Sequence, residues 1–195
     1  MWNFRLAQDY PQVMREQLED RLPQFTEADM SLLREAEVDF YGMNYYTSQF
    51  ARHRDPEAEV AKSDFRGNVD DYKTDKNLNL VGEPSGIYWL HSVPQGFRSH
   101  LVRIFNKYKK PIYITENGCP CPGEDKMTRE DCVQDAYRQR YFADHLDAIA
   151  GAIQDGAKVE GYFAWSLLDN LGTCQRNVFC ISTCLFVTDF VSRMV

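Results

Sequence analysis

Pro111-Ile112-Tyr113-Ile114-Thr115-Glu116-Asn117-Gly118 is the stretch that decides the fold. It is a short apolar run set between a helix signal and a polar segment, the pattern of a buried parallel strand. Upstream, residues 96–108 place Phe97, Leu101, Ile104 and Phe105 on one helical stripe. Lys107, Lys109 and Lys110 gather at its C-terminal end, where positive charge suits the helix dipole. Downstream, a helix is expected from Thr128, with Thr128 and Asp131 as its capping pair. Val133, Ala136, Tyr137, Tyr141, Leu146, Ile149 and Ile153 keep helical spacing, and Gly156 is the stop. Two further runs read as strands on their β-branched and aromatic content, residues 38–47 and 159–165. Before the first of them, Thr26 to Asp29 reads as a capping box for a helix bearing Met30, Leu32, Leu33 and Ala36. Residues 51–95, rich in Asp, Asn, Gly and Pro, read as a long loop, with Trp89 as its anchor.

The order is therefore strand, loop, helix, strand, loop, helix, strand. This is an α/β fold, and it suits either a parallel sheet or part of a (β/α)8 TIM barrel. In such folds chemistry gathers at the C-terminal ends of the strands. Those ends carry Asn44, Tyr45 and Tyr46; Glu116, Asn117 and Gly118; Trp165 and Ser166. A carboxylate, an amide, phenols and an indole at one mouth supply what a sugar requires, namely polar partners for hydroxyls and flat apolar surfaces for C–H faces. By position alone, a Glu after a strand is more often a solvated or helix-capping carboxylate than a catalyst. Tyr46 and Trp165 alone read more readily as packing.

Composition excludes other classes. The chain has 195 residues, 44% hydrophobic and 26% charged, with a net charge of −7. That balance gives no basic face for nucleic acid. No apolar run approaches the ~20 residues that span a bilayer, so no membrane partner is expected. The N-terminal residues hold no signal-peptide pattern. The six cysteines form no C-x-x-C pair, and the four histidines have no clustered spacing, so no metal and no cofactor are expected. Free thiols suit a reducing, cytoplasmic setting.

Three segments carry a resemblance: DFYGMNYYTS at 39–48, PIYITENG at 111–118 and GYFAWSLLDN at 161–170. In sequence, order and spacing they resemble glycoside hydrolase family 1, and fungal β-glucosidases in particular. The resemblance implies a (β/α)8 barrel of which residues 1–171 are the C-terminal part. It implies a retaining hydrolysis of terminal β-D-glucosyl residues, with a β-glucoside as the small-molecule substrate. Glu116 matches the nucleophile and Tyr46 the tyrosine that hydrogen-bonds it. Asn44 and Trp165 match residues of the sugar site. A phenol donating to the carboxylate would keep it ionised and aimed.

The sequence departs from the family pattern at both ends. Retaining chemistry needs a second carboxyl ~5–5.5 Å from the first, which the family takes from an N-E-P motif. This chain has none. Gly82-Glu83-Pro84 is similar in letters only, lying between the first two strands. After Leu171 the family's Glu-Trp is replaced by Gly172 and Thr173, and residues 172–195 read as a non-homologous tail. One codon choice for Gly172-Thr173-Cys174 contains GTACGT, a splice-donor pattern, so this tail is read as translated intron. Unpaired strand edges predict poor solubility. The isolated chain is expected to be inactive. The alternatives are a non-catalytic sugar-binding remnant or a non-functional truncated gene product.

Overall fold

A computed structural model describes residues 9–55 and 69–166. The tail at 172–195 lies outside the described residues. The strands are β1 (Tyr41–Asn44), β2 (Phe50–His53), β3 (Val69–Tyr72), β4 (Glu83–Pro84), β5 (His91–Ser92), β6 (Ile112–Glu116) and β7 (Val159–Tyr162). The helices are α1 (Gln12–Leu18), α2 (Glu27–Glu35), α3 (Pro94–Tyr108), α4 (Arg129–Cys132) and α5 (Ala136–Gln154).

The three expected strands form one parallel sheet in the order β1-β6-β7. Tyr41 lies opposite Ile112 and Ile114 opposite Tyr162. A bulge between Met43 and Asn44 brings Asn44 opposite Glu116. The pattern is that of consecutive β/α units of a barrel, without closure among the described residues.

Ile112 and Ile114 are fully buried, and Phe97, Leu101 and Ile104 of α3 pack on them with Ala148, Ile149 and Ala152 of α5. Strand β6 is covered on this face alone. Tyr113 is half-buried and Thr115 exposed on the other, so the expected burial on both faces is corrected. The open face is the one that would line a barrel interior. Helix α5 stops where Gly156 turns to φ +94, a conformation that costs glycine least. There Ala157 N–H donates to the Ala152 carbonyl at 2.9 Å.

Other expectations also need correction. The first strand is shorter than residues 38–47, because the chain leaves the sheet after Tyr45. Thr47 Oγ1 there accepts from His91 N–H at 3.1 Å and donates to the His91 carbonyl at 3.0 Å. The segment read as a loop contains two antiparallel pairs, β2–β3 and β4–β5. Strands this short and polar carry no apolar alternation to reveal them. The helix expected to run on from Thr128 is broken. Thr128 caps α4 through Asp131 N–H as expected, but Asp135 then caps α5 through Arg138 N–H at 3.2 Å. The capping box at Thr26 and Asp29 is formed, yet α2 buries no residue and Leu32 is 68% exposed. Met30, Leu33 and Ala36 of its apolar stripe are only half-buried.

Candidate active site

Glu116 is the last residue of β6, and Tyr46 lies two residues beyond β1. Parallel pairing brings the ends together, and Tyr45 N–H donates to the Glu116 carbonyl at 2.9 Å. From there the Tyr46 phenol reaches across and donates to Glu116 Oε2 at 2.5 Å. This is the length of a strong O–H···O⁻ bond. Burial first, then the hydrogen bond to Glu116 and the charge of Glu116, hold the Tyr46 phenol well above its usual value. Tyr46 therefore remains a donor. Glu116 Oε1 takes no hydrogen bond among the described residues, so one carboxylate oxygen is held and the other is open to a reacting atom.

Asn44 is exposed beside this pair, and its Oδ1 accepts from Thr115 Oγ1 at 2.6 Å. Its NH2 has no partner among the described residues and remains available to a hydroxyl. Trp165 is anchored by its backbone, donating to the Asn117 carbonyl at 2.8 Å, while the residue is 36% exposed. The Trp165–Ser166 peptide bond is cis. Trp89 meets the Tyr46 ring edge-on with centroids 6.3 Å apart. The four sequence-predicted residues thus sit at the C-terminal ends of three adjacent parallel strands. Glu116 and Tyr46 are in direct contact.

Sequence reasoning missed what lies beneath. Asn117 is fully buried and uses both ends of its amide. Its Nδ2 donates to the Tyr45 carbonyl at 2.9 Å and to Tyr141 Oη at 3.0 Å, and its Oδ1 accepts from Tyr162 Oη at 2.8 Å. One side chain therefore ties together the ends of β1, β6 and β7 and helix α5. Asn117 stood in the decisive motif, but nothing in the sequence indicated which way its amide faces. Tyr141 registered only as an apolar position on a helix.

The segment after Gly118 is fixed by charge. Arg138, side chain 5% exposed, pairs with Glu124 at 2.7 Å and with Asp135. Burial alone would lower its pKa, but these two carboxylates outweigh burial and raise it. A cavity of about 560 Å³ lies along this segment, lined by Cys121, Cys132, Tyr137 and Arg138 among others. None of Glu116, Tyr46, Asn44 or Trp165 lines it, so it is separate from the sugar-site candidates. Cys119, Cys121 and Cys132 are free thiols, and burial pushes Cys119 up. Glu83 of the Gly-Glu-Pro sequence pairs on the surface with Arg140 of α5 at 3.0 Å.

Comparisons with known proteins point to one family. The sequence model described as glycosyl hydrolase family 1 matches residues 2–178. Beta-glucosidase 12 of Oryza sativa subsp. indica is 40% identical over 171 residues, covering 83% of this chain and 32% of that protein. The crystal structure of beta-glucosidase 2 from the fungus Trichoderma reesei, in complex with Tris, superposes with a TM-score of 0.81 at 41% identity. It covers 89% of this chain and 37% of that one. A β-glucosidase of the same family from the fungus Humicola insolens, in complex with glucose, gives a TM-score of 0.83 at 36% identity, covering 92% and 38%. The chain spans about a third of the length of the curated relatives it matches.

Proposed function

This chain belongs to glycosyl hydrolase family 1, and from that premise we propose that it carries the nucleophile side of a retaining β-glucosidase site. The observation that supports this most is the 2.5 Å bond from Tyr46 to Glu116 at the mouth of the parallel sheet. In the proposed reaction Glu116 Oε1 attacks the anomeric carbon of a terminal β-glucosyl unit. The bond to the leaving oxygen breaks, and a glycosyl-enzyme ester forms. Water then attacks the same carbon, the bond to Oε1 breaks to return the Glu116 carboxylate, the water's proton passes to solvent, and glucose leaves with its configuration retained. Tyr46 holds Oε2 while Oε1 becomes the ester oxygen. Asn44 offers its NH2 to a sugar hydroxyl, and Trp165 offers an indole face to the ring C–H groups.

The 195 residues contain no Asn-Glu-Pro sequence, and Glu83 is engaged by Arg140. Protonation of a poor leaving group therefore has no donor among the residues assigned here, a loss of about 10² to 10⁴ in rate. A leaving group that departs without a proton avoids this requirement. The reading is tested with dinitrophenyl β-glucoside, following the first-formed sugar by proton NMR. Release of β-glucose that later mutarotates is expected. Release of α-glucose would overturn the retaining assignment.

A further inference from the structure

Two contacts set where the Glu116 carboxylate points. One is the Tyr46 phenol on Oε2; the other is the next residue, Asn117, held by its buried side-chain amide. Both lead to the same atom. Tyr141 Oη donates to the Tyr46 carbonyl at 3.2 Å and accepts from Asn117 Nδ2 at 3.0 Å. Tyr141 is 2% exposed and lies on α5, which belongs to a different layer from the strands. Its ring is fixed on one side by His145, stacked at 4.0 Å, and on another by Phe142, edge-on at 5.6 Å. A phenol held this rigidly cannot follow a drifting strand end. It instead sets the separation between the Tyr46 backbone and the Asn117 side-chain amide.

We propose that Tyr141 is a positioning residue: its single hydroxyl, bridging the Tyr46 carbonyl and the Asn117 amide, sets the Tyr46–Glu116 contact and so the attack line of Glu116. This rests on the assignment of Glu116 as nucleophile. Tyr141 touches no reacting atom and acts only through its two neighbours. Near-attack geometry is sensitive at this scale, a misplacement of about 1 Å costing as much as about 10²-fold in rate.

The test is Tyr141→Phe in the full chain, with Tyr137→Phe as control. Tyr137 lies one turn earlier on α5 and donates to the Pro84 carbonyl at 2.9 Å, away from Asn117. Two readouts are taken. The first is the downfield hydroxyl proton of Tyr46 in the NMR spectrum, identified by its loss in Tyr46→Phe. The second is the rate of covalent labelling by an activated deoxyfluoroglucosyl fluoride, resolved into a limiting rate and a half-saturating concentration. Tyr141→Phe is expected to move the Tyr46 proton upfield. It should also lower the limiting labelling rate about tenfold with half-saturation unchanged. Tyr137→Phe should change neither.

An unmoved Tyr46 proton in Tyr141→Phe overturns the proposal, as do equal changes in both variants. If the parent chain takes no label while Tyr141→Phe still moves the proton, the positioning role stands and the nucleophile assignment falls. Should Tyr141→Phe not fold, Tyr162→Phe removes the opposite grip on Asn117. It must then move the Tyr46 proton in the same direction, and no movement would again overturn the proposal.

Discussion

Lowering the pH should destabilise this fold through His145, in an amount the structure sets. The imidazole is fully buried between the rings of Tyr141, Phe97 and Tyr45, at 4.0, 5.7 and 6.0 Å. Its Nδ1 lies 2.7 Å from the Tyr141 carbonyl and so carries the proton of the neutral ring. Its Nε2 has no hydrogen-bond partner among the described residues. A second proton would have to be placed there with no acceptor among the described residues. Burial, partly offset by the bond to the Tyr141 carbonyl, brings the pKa down from 6.5 to about 4. The sign follows from linkage. Between those values the unfolded chain binds a proton that the folded chain refuses, so stability falls as pH drops through the window. The full effect is about 3 kcal/mol, a large part of the 5–15 kcal/mol typical of a domain. Urea midpoints of the parent chain and His145→Phe, taken from pH 7 to pH 4.5, isolate this contribution because every other titratable group is present in both. The stability difference should shift towards the variant by about 2–3 kcal/mol across that range. A difference that does not change with pH would refute the reasoning.

Three further perturbations follow from the same contacts. Asn117→Leu keeps the branched shape but leaves the Tyr45 carbonyl and the Tyr162 hydroxyl without their partner, so a loss of about 2–6 kcal/mol is expected in chemical denaturation. Arg138→Met strands Glu124 and Asp135 in a buried setting and should cost about 3–5 kcal/mol; exchanging all three for apolar residues should recover most of it. Ile114→Ala opens a cavity under both helices and should lower stability by about 2–5 kcal/mol, read as a drop in the urea midpoint with an unchanged slope.

The parts legible in sequence are those where one side chain or one short pattern decides. Ile112 and Ile114 announced β6, Phe97 to Ile104 announced α3, and Gly156 marked the end of α5. The strand-end positions of Glu116, Tyr46, Asn44 and Trp165 followed from the order of those elements. The contact between Tyr46 and Glu116 did not, because they are 70 residues apart; it came with the family resemblance. The β2–β3 pair was illegible because Phe50–His53 and Val69–Tyr72 are largely exposed on both faces, so neither run alternates. The helix break at Asp135 was hidden because Val133 and Ala136 keep the helical spacing. The Asp135 cap on Arg138 N–H and the buried ion pairs of Arg138 with Asp135 and Glu124 accompany the interruption. Asn117 and Tyr141 were missed for a related reason. Their roles lie in hydrogen bonds between layers, and no local pattern encodes those.

Glu116 is the group proposed to bond to the sugar. The most direct measurement is to incubate the full chain with an activated deoxyfluoroglucoside, digest it and map the adduct by mass spectrometry. The predicted result is a single glycosyl ester on Glu116, lost in Glu116→Gln and slowed in Tyr46→Phe. An adduct on any other residue, or none on a chain that circular dichroism shows to be folded, would contradict it.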